Sequence, residues 1–256
     1  MIDVNVSLSR WPFRRLPLDD PAALVAGLKR LGVAQAWAGS FDGLLHRDAA
    51  AVNLRLADDC RTHGAGFLVP FGTVNPTLPD WSEDVRRCHE VHRMPGIRLH
   101  PNYHGYKLDD PRFAALLDEA AGRSLLVQVV AAMEDVRTQH PLVRVPPVDL
   151  APLEALIVRR TSLKIILLNA MPRPADGFLK RLIATGRVWV DTAMLEGVAA
   201  IERAVEAIGP GHLVVGSNAP FFCAEAAPAK LRESDLSEVD RAAITGDNAR
   251  LLLKAR

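Results

Sequence analysis

The residues of this sequence that can do chemistry are two proton-transferring side chains and a larger set of amides. His100 and Asp191 are of the types that give or take protons near neutral pH. Amides both donate and accept hydrogen bonds, so they can hold a polar ligand or a developing oxyanion. The amides are Asn5, Gln128, Asn169 and Asn218. These types suit acid–base chemistry on a small polar molecule.

Regular elements must position these residues, and the sequence alternates between two patterns throughout. Apolar or β-branched runs typical of strands cover 2–7, 33–38, 66–74, 96–100, 125–130, 163–168, 188–191 and 212–215. Helical periodicity covers 21–31, 48–63, 80–92, 111–121, 150–160, 176–185, 195–208 and 237–253. This alternation predicts one (β/α)8 TIM barrel over 1–256, an α/β fold. A doubly wound sheet is the alternative, but residues 8–12 lack its first-turn glycines.

In a barrel the carboxyl ends of all strands open into one mouth. The polar side chains at or near these ends are Asn5, Ser7, Arg98, His100, Gln128, Asn169, Asp191 and Asn218. On the first strand Asp3, Asn5 and Ser7 alternate with apolar residues, so we expect them on one face. A mouth filled only for stability would be apolar. The pattern therefore predicts a ligand pocket.

Within this mouth we expect His100 to act as general base and Asp191 to orient or deprotonate a water. His46, in the polar segment after the second strand, is a second acid–base candidate. The amides would donate to the oxyanion. Alternatively, His100 fixes the loop at Pro101, and Asp191 caps the turn that follows it.

Positive charge predominates around the mouth. Arg14, Arg98 and Arg137 are expected to clamp a carboxylate, since a guanidinium binds one through two parallel hydrogen bonds. The expected partner is a small anionic substrate. The expected reaction is hydrolysis of a small carboxylated lactone or ester.

Several motifs resemble those of one family. They are Ile2-Asp3, Gly72-Thr73-Val74-Asn75-Pro76, Gly96-Ile97-Arg98-Leu99-His100-Pro101, Gly216-Ser217-Asn218-Ala219-Pro220 and Gly246-Asp247-Asn248-Ala249-Arg250. Over nearly its whole length the sequence is similar to the amidohydrolase-related TIM-barrel proteins. These are predicted metal-dependent hydrolases that include enzymes like aminocarboxymuconate-semialdehyde decarboxylase. The resemblance implies the same barrel and a reaction at its mouth.

The resemblance also implies where a metal would bind, and the ligands are missing there. The family uses two histidines on the first strand, one on each of the fifth and sixth, and an aspartate after the eighth. Those positions hold Asn5, Ser7, Gln128, Asn169 and Asn218. Neutral amide and hydroxyl oxygens are poor ligands for zinc-like ions. We expect no bound metal and no cofactor, as in metal-independent lactonases of the same superfamily, whose arginines hold the substrate carboxylates.

Three alternatives stay open. The amides can satisfy one another and fill the former metal cavity. The protein can be a non-catalytic barrel that binds a small anion or a partner subunit. Finally, a metal can bind through substitute ligands, Asp3, Asp191 and His100, which would give a metal-dependent hydrolase or decarboxylase.

Composition argues against several other classes of protein. With 31 basic and 30 acidic residues the net charge is +1, so neither nucleic acid nor a membrane is an expected partner. No apolar run reaches the roughly 18 residues of a membrane span. The first residues lack a secretory pattern, and the three cysteines are widely spaced. We expect a cytoplasmic protein and leave open whether it forms homo-oligomers.

Overall fold

The computed structural model of the protein describes residues 1–171 and 177–254. Eight parallel strands lie side by side in chain order. They are β1 (Ile2–Leu8), β2 (Gln35–Ser40), β3 (Leu68–Thr73), β4 (Gly96–Leu99), β5 (Leu126–Val130), β6 (Ile165–Leu168), β7 (Val188–Asp191) and β8 (Leu213–Val214). The end of the sheet returns to its beginning, because Val4 N donates to Val215 O at 2.8 Å and Ser7 N to Ala219 O at 2.9 Å. The fold is a single (β/α)8 TIM barrel, as the sequence predicts.

Helices surround the barrel. They are α1 (Pro21–Arg30), α2 (Asp42–Leu45), α3 (Ala49–Gly64), α4 (Trp81–Arg86), α5 (Pro101–His104), α6 (Pro111–Gly122), α7 (Leu153–Val158), α8 (Gly177–Ala184), α9 (Ala200–Ile208), α10 (Ala226–Glu233), α11 (Glu238–Ala242) and α12 (Asn248–Lys254). Shorter helical turns cover Arg87–Val91, Val136–Thr138, Pro210–His212 and Ala243–Asp247. The predicted start of α8 at residue 176 lies outside the described residues. No described helix is long and apolar enough to cross a membrane.

Several helix boundaries differ from those that the periodicity predicts. The periodicity does not predict the short helices α2 and α5, since one turn is too short to show a period. It also does not predict α10, which lies between the last predicted strand and the last predicted helix. The predicted helix 195–208 begins only at Ala200, because Gly197 has a φ of +94°. The predicted helix 150–160 begins only at Leu153, after Pro152, whose ring disfavours helical backbone in the preceding residue.

Apolar side chains fill the barrel beneath its mouth. On β5, buried Leu126 precedes Gln128, and on β7 Trp189 precedes Asp191. Trp37 of β2 stacks on a phenylalanine of β3 with 5.1 Å between ring centroids. The interior is therefore apolar where the strands begin and polar where they end.

An irregularity in β1 decides where its polar residues lie. The pairing of β1 with β2 shifts register between Asp3 and Val6. Val4 packs with the inner apolar cluster, whereas Val6 packs with the outer cluster beneath the helices. A bulge of this kind redirects the side chains beside it. The uninterrupted alternation predicted for Asp3, Asn5 and Ser7 is therefore broken.

Candidate active site

Three polar side chains from different strands bond to one another at the carboxyl ends of the barrel. Asn5 donates from Nδ2 to Asn169 Oδ1 at 2.8 Å and to Asp191 Oδ2 at 2.7 Å. Asp191 Oδ1 accepts from the backbone N–H of Asn169 at 2.8 Å. Each of the three is at most 2% exposed. The structure thus brings these predicted residues together, and we call them the Asn5–Asn169–Asp191 cluster.

Two asparagines also connect the strand ends to the segment that follows β5. Asn169 and Asn218 have φ angles of +56° and +53°, a left-handed conformation that asparagine tolerates better than most residues. Asn169 donates from Nδ2 to Ala132 O at 2.7 Å, and Asn218 donates from Nδ2 to Met133 O at 2.9 Å. Among the described residues the second N–H of each of these two amides has no partner, whereas both N–H groups of Asn5 are engaged.

Burial raises the pKa of both aspartates of this region. It raises the pKa of Asp191 to about 6, although the hydrogen bonds from Asn169 and Asn5 oppose this shift. It also raises the pKa of Asp3 to about 6. Asp3 Oδ1 accepts from the backbone N–H groups of Asn5 and Ser217, both at 3.0 Å, and Oδ2 has no partner of good geometry in the described part of the chain. Near neutral pH each carboxyl is therefore partly protonated and can give or take a proton.

Arg98 lies inside the barrel, which corrects its expected role as a carboxylate clamp. Its Nη1 donates to Val6 O at 2.7 Å, and its Nη2 donates to Trp37 O at 3.0 Å and Val4 O at 3.3 Å. Its Nε donates to Gln128 Oε1 at 2.7 Å, and Gln128 Nε2 donates to Val4 O at 2.9 Å. Burial lowers the pKa of Arg98 to about 10. Arg98 and Gln128 thus satisfy backbone carbonyls of β1 and β2.

His100 follows β4 and is 3% exposed. Burial lowers its pKa well below the usual value, and the nearby His104 and Arg98 lower it further, so the ring is neutral at neutral pH. Its Nδ1 has no partner among the described residues. His104 Nε2 lies 2.8 Å from Gly43 O and must donate to that carbonyl. In the neutral ring His104 Nδ1 is then a buried acceptor, for which residues 1–171 and 177–254 offer no partner.

A small cavity lies beside His100. Its volume is about 10 Å³, and its lining includes Tyr103 and Met133. A site of this size holds about one water molecule. His100 can therefore meet a water here as a neutral base.

Arg14 forms an ion pair whose acid was not among the predicted site residues. Its Nη1 lies 2.6 Å from Glu134 Oε2 and also donates to Thr138 O at 3.2 Å. Glu134 is buried, whereas the Arg14 side chain is 35% exposed. Nε and Nη2 of Arg14 make no hydrogen bond to the described residues, which leaves one edge of the guanidinium for a carboxylate. An acid in a loop carries no periodic pattern, so Glu134 could not be recognised from the sequence.

A cluster of aromatic rings lies next to Arg14 and contacts it through Phe221. The Trp11 ring centroid lies 5.2 Å from that of Phe13, 5.5 Å from Phe41, 6.4 Å from Tyr103 and 4.9 Å from Phe221; these five form the aromatic cluster. The Arg14 guanidinium lies 5.4 Å from the Phe221 ring centroid. Trp11 Nε1 is buried and has no partner among the described residues. A planar ligand can stack on such rings.

The other predicted site residues lie elsewhere. Ser7 is buried, but its hydroxyl makes no hydrogen bond to the described residues. His46 is exposed at the end of α2. The Arg137 side chain is 83% exposed and pairs with Asp135 within its own loop. No described contact brings His46 or Arg137 to the buried cluster, because both side chains point to solvent or to their own segment.

The residues present do not fit a transition-metal centre of the implied kind. The five corresponding positions hold amides and a hydroxyl, and Asn5, Gln128 and Asn169 among them bond to other protein groups. Over residues 1–171 and 177–254 no three His, Cys, Asp or Glu side chains lie close enough to hold a metal ion. The substitute ligands Asp3, Asp191 and His100 therefore do not form such a group either.

Comparison with known proteins places this geometry in context. A profile described as amidohydrolase matches residues 9–255. No curated protein matches the sequence.

The solved structures of similar fold include three decarboxylases. The 2,6-dihydroxybenzoate decarboxylase from Rhizobium has 16% identity and a TM-score of 0.75, covering 98% of this chain and 99% of that one. The 5-carboxyvanillate decarboxylase from Novosphingobium aromaticivorans, with bound manganese and a nitrobenzoic acid, has 16% identity and a TM-score of 0.76, covering 99% and 96%. A dihydroxybenzoic acid decarboxylase from Polaromonas, with manganese and 2-nitroresorcinol, has 14% identity and a TM-score of 0.75, covering 98% and 97%. At these identities the likeness is one of fold.

Proposed function

The chain belongs to the amidohydrolase family, and on this premise we propose that it is an enzyme that decarboxylates a small planar carboxylic acid at the mouth of its barrel. The observation that carries the proposal is Asp191, a buried carboxyl whose pKa is raised to about 6. Asn5 and Asn169 hold it in place. It is a positioned acid that stays partly protonated near neutral pH.

The reaction needs a proton and an electron-rich ring. Protonated Asp191 gives its proton to the ring carbon that bears the carboxylate. The bond from that carbon to the carboxylate then breaks, carbon dioxide leaves, and the electron pair of the broken bond restores the ring. Asp191 is left as a carboxylate and recovers its proton from solvent. No step requires a metal, in keeping with the donor set at the mouth.

The substrate class follows from the surroundings of the cluster. The free edge of Arg14 suits a carboxylate, and the aromatic cluster suits a planar ring. Residues 132–134 connect these groups to the strand ends. Ala132 O accepts from Asn169, and Met133 O accepts from Asn218. Glu134 forms the ion pair with Arg14. The decarboxylases of similar fold act on hydroxylated aromatic acids, which makes such acids the first to test.

The test is release of carbon dioxide from 2,6-dihydroxybenzoate and 5-carboxyvanillate, with chelator and separately with added manganese. We expect turnover in chelator, and we expect Asp191→Asn to lower kcat by about 10²–10⁴-fold. Asp135→Asn, which changes a partly exposed carboxylate paired with Arg137, should leave kcat unchanged. A stoichiometric transition metal in protein purified without chelator, or turnover only with manganese, would contradict the metal-independent step.

Arg14 has a matched control in Arg137, since each arginine pairs with one acid of the same loop. We expect Arg14→Gln to raise KM at least tenfold, because it removes the ionic partner of the substrate carboxylate. Arg137→Gln should leave KM within twofold. Equal effects of the two substitutions would show that Arg14 does not hold the substrate.

Hydrolysis of a carboxylated lactone or ester is the second candidate, and the neutral base His100 favours it. In that reaction His100 takes a proton from a water in the adjacent cavity, and the second N–H of Asn169 or Asn218 donates to the oxyanion. Lactone turnover that His100→Gln abolishes would select this reaction. Binding of benzoate without turnover of any acid, lactone or ester would instead favour the non-catalytic barrel.

A further inference from the structure

A second cleft lies away from the Asn5–Asn169–Asp191 cluster, between the first turns of α3 and α4. Its volume is about 560 Å³, within the range of small-molecule sites. Its charged lining residues are Arg47, Asp48, Asp80, Glu83, Asp84 and Arg87. We call it the α3–α4 cleft.

Asp84 is the unusual member of this lining. It is only 7% exposed, and its carboxylate makes no hydrogen bond or ion pair with the described residues. Burial raises its pKa to about 6, although Arg87 opposes the shift, and the nearby carboxylates of Asp80, Asp48 and Glu83 raise it further. Buried carboxylates are normally paired, so an unpaired one facing a cleft suits a bound cation.

The arginines of the cleft do not supply that cation. Arg87 donates from Nε to Glu83 Oε1 at 2.9 Å, and Arg86 also donates to the oxygens of Glu83, at 2.7 and 2.8 Å. Arg87 makes no hydrogen bond to Asp84 among the described residues. Asp48 Oδ1 accepts from the backbone N–H of Ala51 at 3.0 Å, which is a donor without a formal charge. The described lining carries four acidic side chains and two arginines, Arg47 and Arg87, so the cleft has an excess of negative charge.

We propose that the α3–α4 cleft binds a small aliphatic amine, with one ammonium group against Asp84 and a second near Asp48 or Asp80. A divalent metal is a poorer match, since no three acidic, His or Cys side chains of the described residues are close enough to coordinate one. A diamine spans more than one carboxylate and fits a cleft of this volume. The site is separate from Asp191, so the inference does not depend on the proposed function.

Calorimetric titration of the full chain at pH 8 and low ionic strength tests the proposal, with putrescine as the probe. We expect putrescine to bind, and we expect neither 1,4-butanediol nor succinate, its neutral and anionic counterparts, to bind. Absence of putrescine binding, or equal binding of succinate, would overturn the proposal.

Two variants locate the bound amine. Asp84→Asn should weaken putrescine binding at least tenfold, and Ala50→Trp, which fills the cleft from α3, should abolish it without removing a charge. Asp58→Asn changes a carboxylate of α3 that is exposed and paired with Arg61, and should leave binding unchanged. Equal binding by Asp84→Asn and by the Asp58→Asn control would place the amine elsewhere and refute the inference. If Asp84→Asn fails to fold, unchanged binding by Ala50→Trp would refute it instead.

Discussion

The positions at which the family would carry metal ligands hold residues that bond within the barrel. Asn5 joins Asn169 to Asp191, and Gln128 joins Arg98 to β1. A buried amide left without partners costs about 1–3 kcal/mol, so mutual hydrogen bonding stabilises a set of polar residues that no cation holds together. Asp191 differs from the amides because it can still exchange a proton.

The titration of Asp191 can be detected through the pH dependence of the free energy of unfolding. Its pKa in the folded protein is about 6, above the 3.8 of a free side chain. A raised pKa means that the contribution of this group to stability is fully present below pH 4 and is lost as the pH rises through 6. The loss is roughly 3 kcal/mol by the usual conversion of pKa shifts. The free energy of unfolding of Asp191→Asn, measured with urea, should therefore rise relative to that of wild type by up to about 3 kcal/mol between pH 4 and pH 7.5.

The groups that face Asp191 shift its pKa in both directions. Asp3 raises its pKa, whereas Asn5, the Asn169 backbone and Lys230 lower it. The control is Asp58→Asn, an exposed carboxylate whose removal should not change the pH dependence. Parallel pH profiles of wild type and Asp191→Asn would show that Asp191 does not titrate in this range.

At the scale of elements, the positions of the site residues could be predicted but their contacts could not. Strand ends are visible as the limits of apolar runs, so Asn5, Asn169 and Asp191 were expected at one mouth. The bulge in β1 was not visible, because Asp3 to Leu8 alternate regularly in the sequence. The pairing of Arg14 with Glu134 depends on how two loops approach each other, and no local pattern encodes that approach.

A glycine of β2 makes room for Arg98. A Cβ at Gly39 would lie 2.7 Å from Arg98 Nη1 and 2.8 Å from its Cδ. Arg98 cannot move aside easily, since its guanidinium bonds to carbonyls of β1 and β2. Gly39→Ala should lower the free energy of unfolding by about 1–3 kcal/mol, as overpacking does.

The matched control is Gly122→Ala in α6, where an added Cβ meets no atom within 4 Å. This variant should be unchanged or more stable by about 0.5–1 kcal/mol, because alanine favours helix. The free energies of unfolding of the two variants are to be measured by urea unfolding at the same pH. Equal stability of Gly39→Ala and wild type would show that Arg98 has room to move and does not fix β1.

For the whole molecule, strict alternation of strands and helices was sufficient to predict the barrel. Its closure requires β1 and the segment after β8 to pair, although they are separated by nearly the whole chain. The sequence specifies this contact only indirectly, through the number of strand and helix units. Closure places Asn5 beside Asp191, because β1 and β7 each flank the short strand β8.

Closure of the barrel also predicts how fast the backbone N–H groups exchange with solvent. A closed barrel has no free edge strand, so β1 should open only with the rest of the sheet. The N–H groups of Val4 and Ser7, which donate to Val215 O and Ala219 O, should exchange as slowly as those of the central strand β5. The exposed segment 140–147 should exchange orders of magnitude faster. Hydrogen exchange measured by mass spectrometry resolves the three segments. If β1 exchanged as fast as 140–147 while β5 stayed protected, the barrel would be open at β1, and Asn5 would not hold Asp191 in solution.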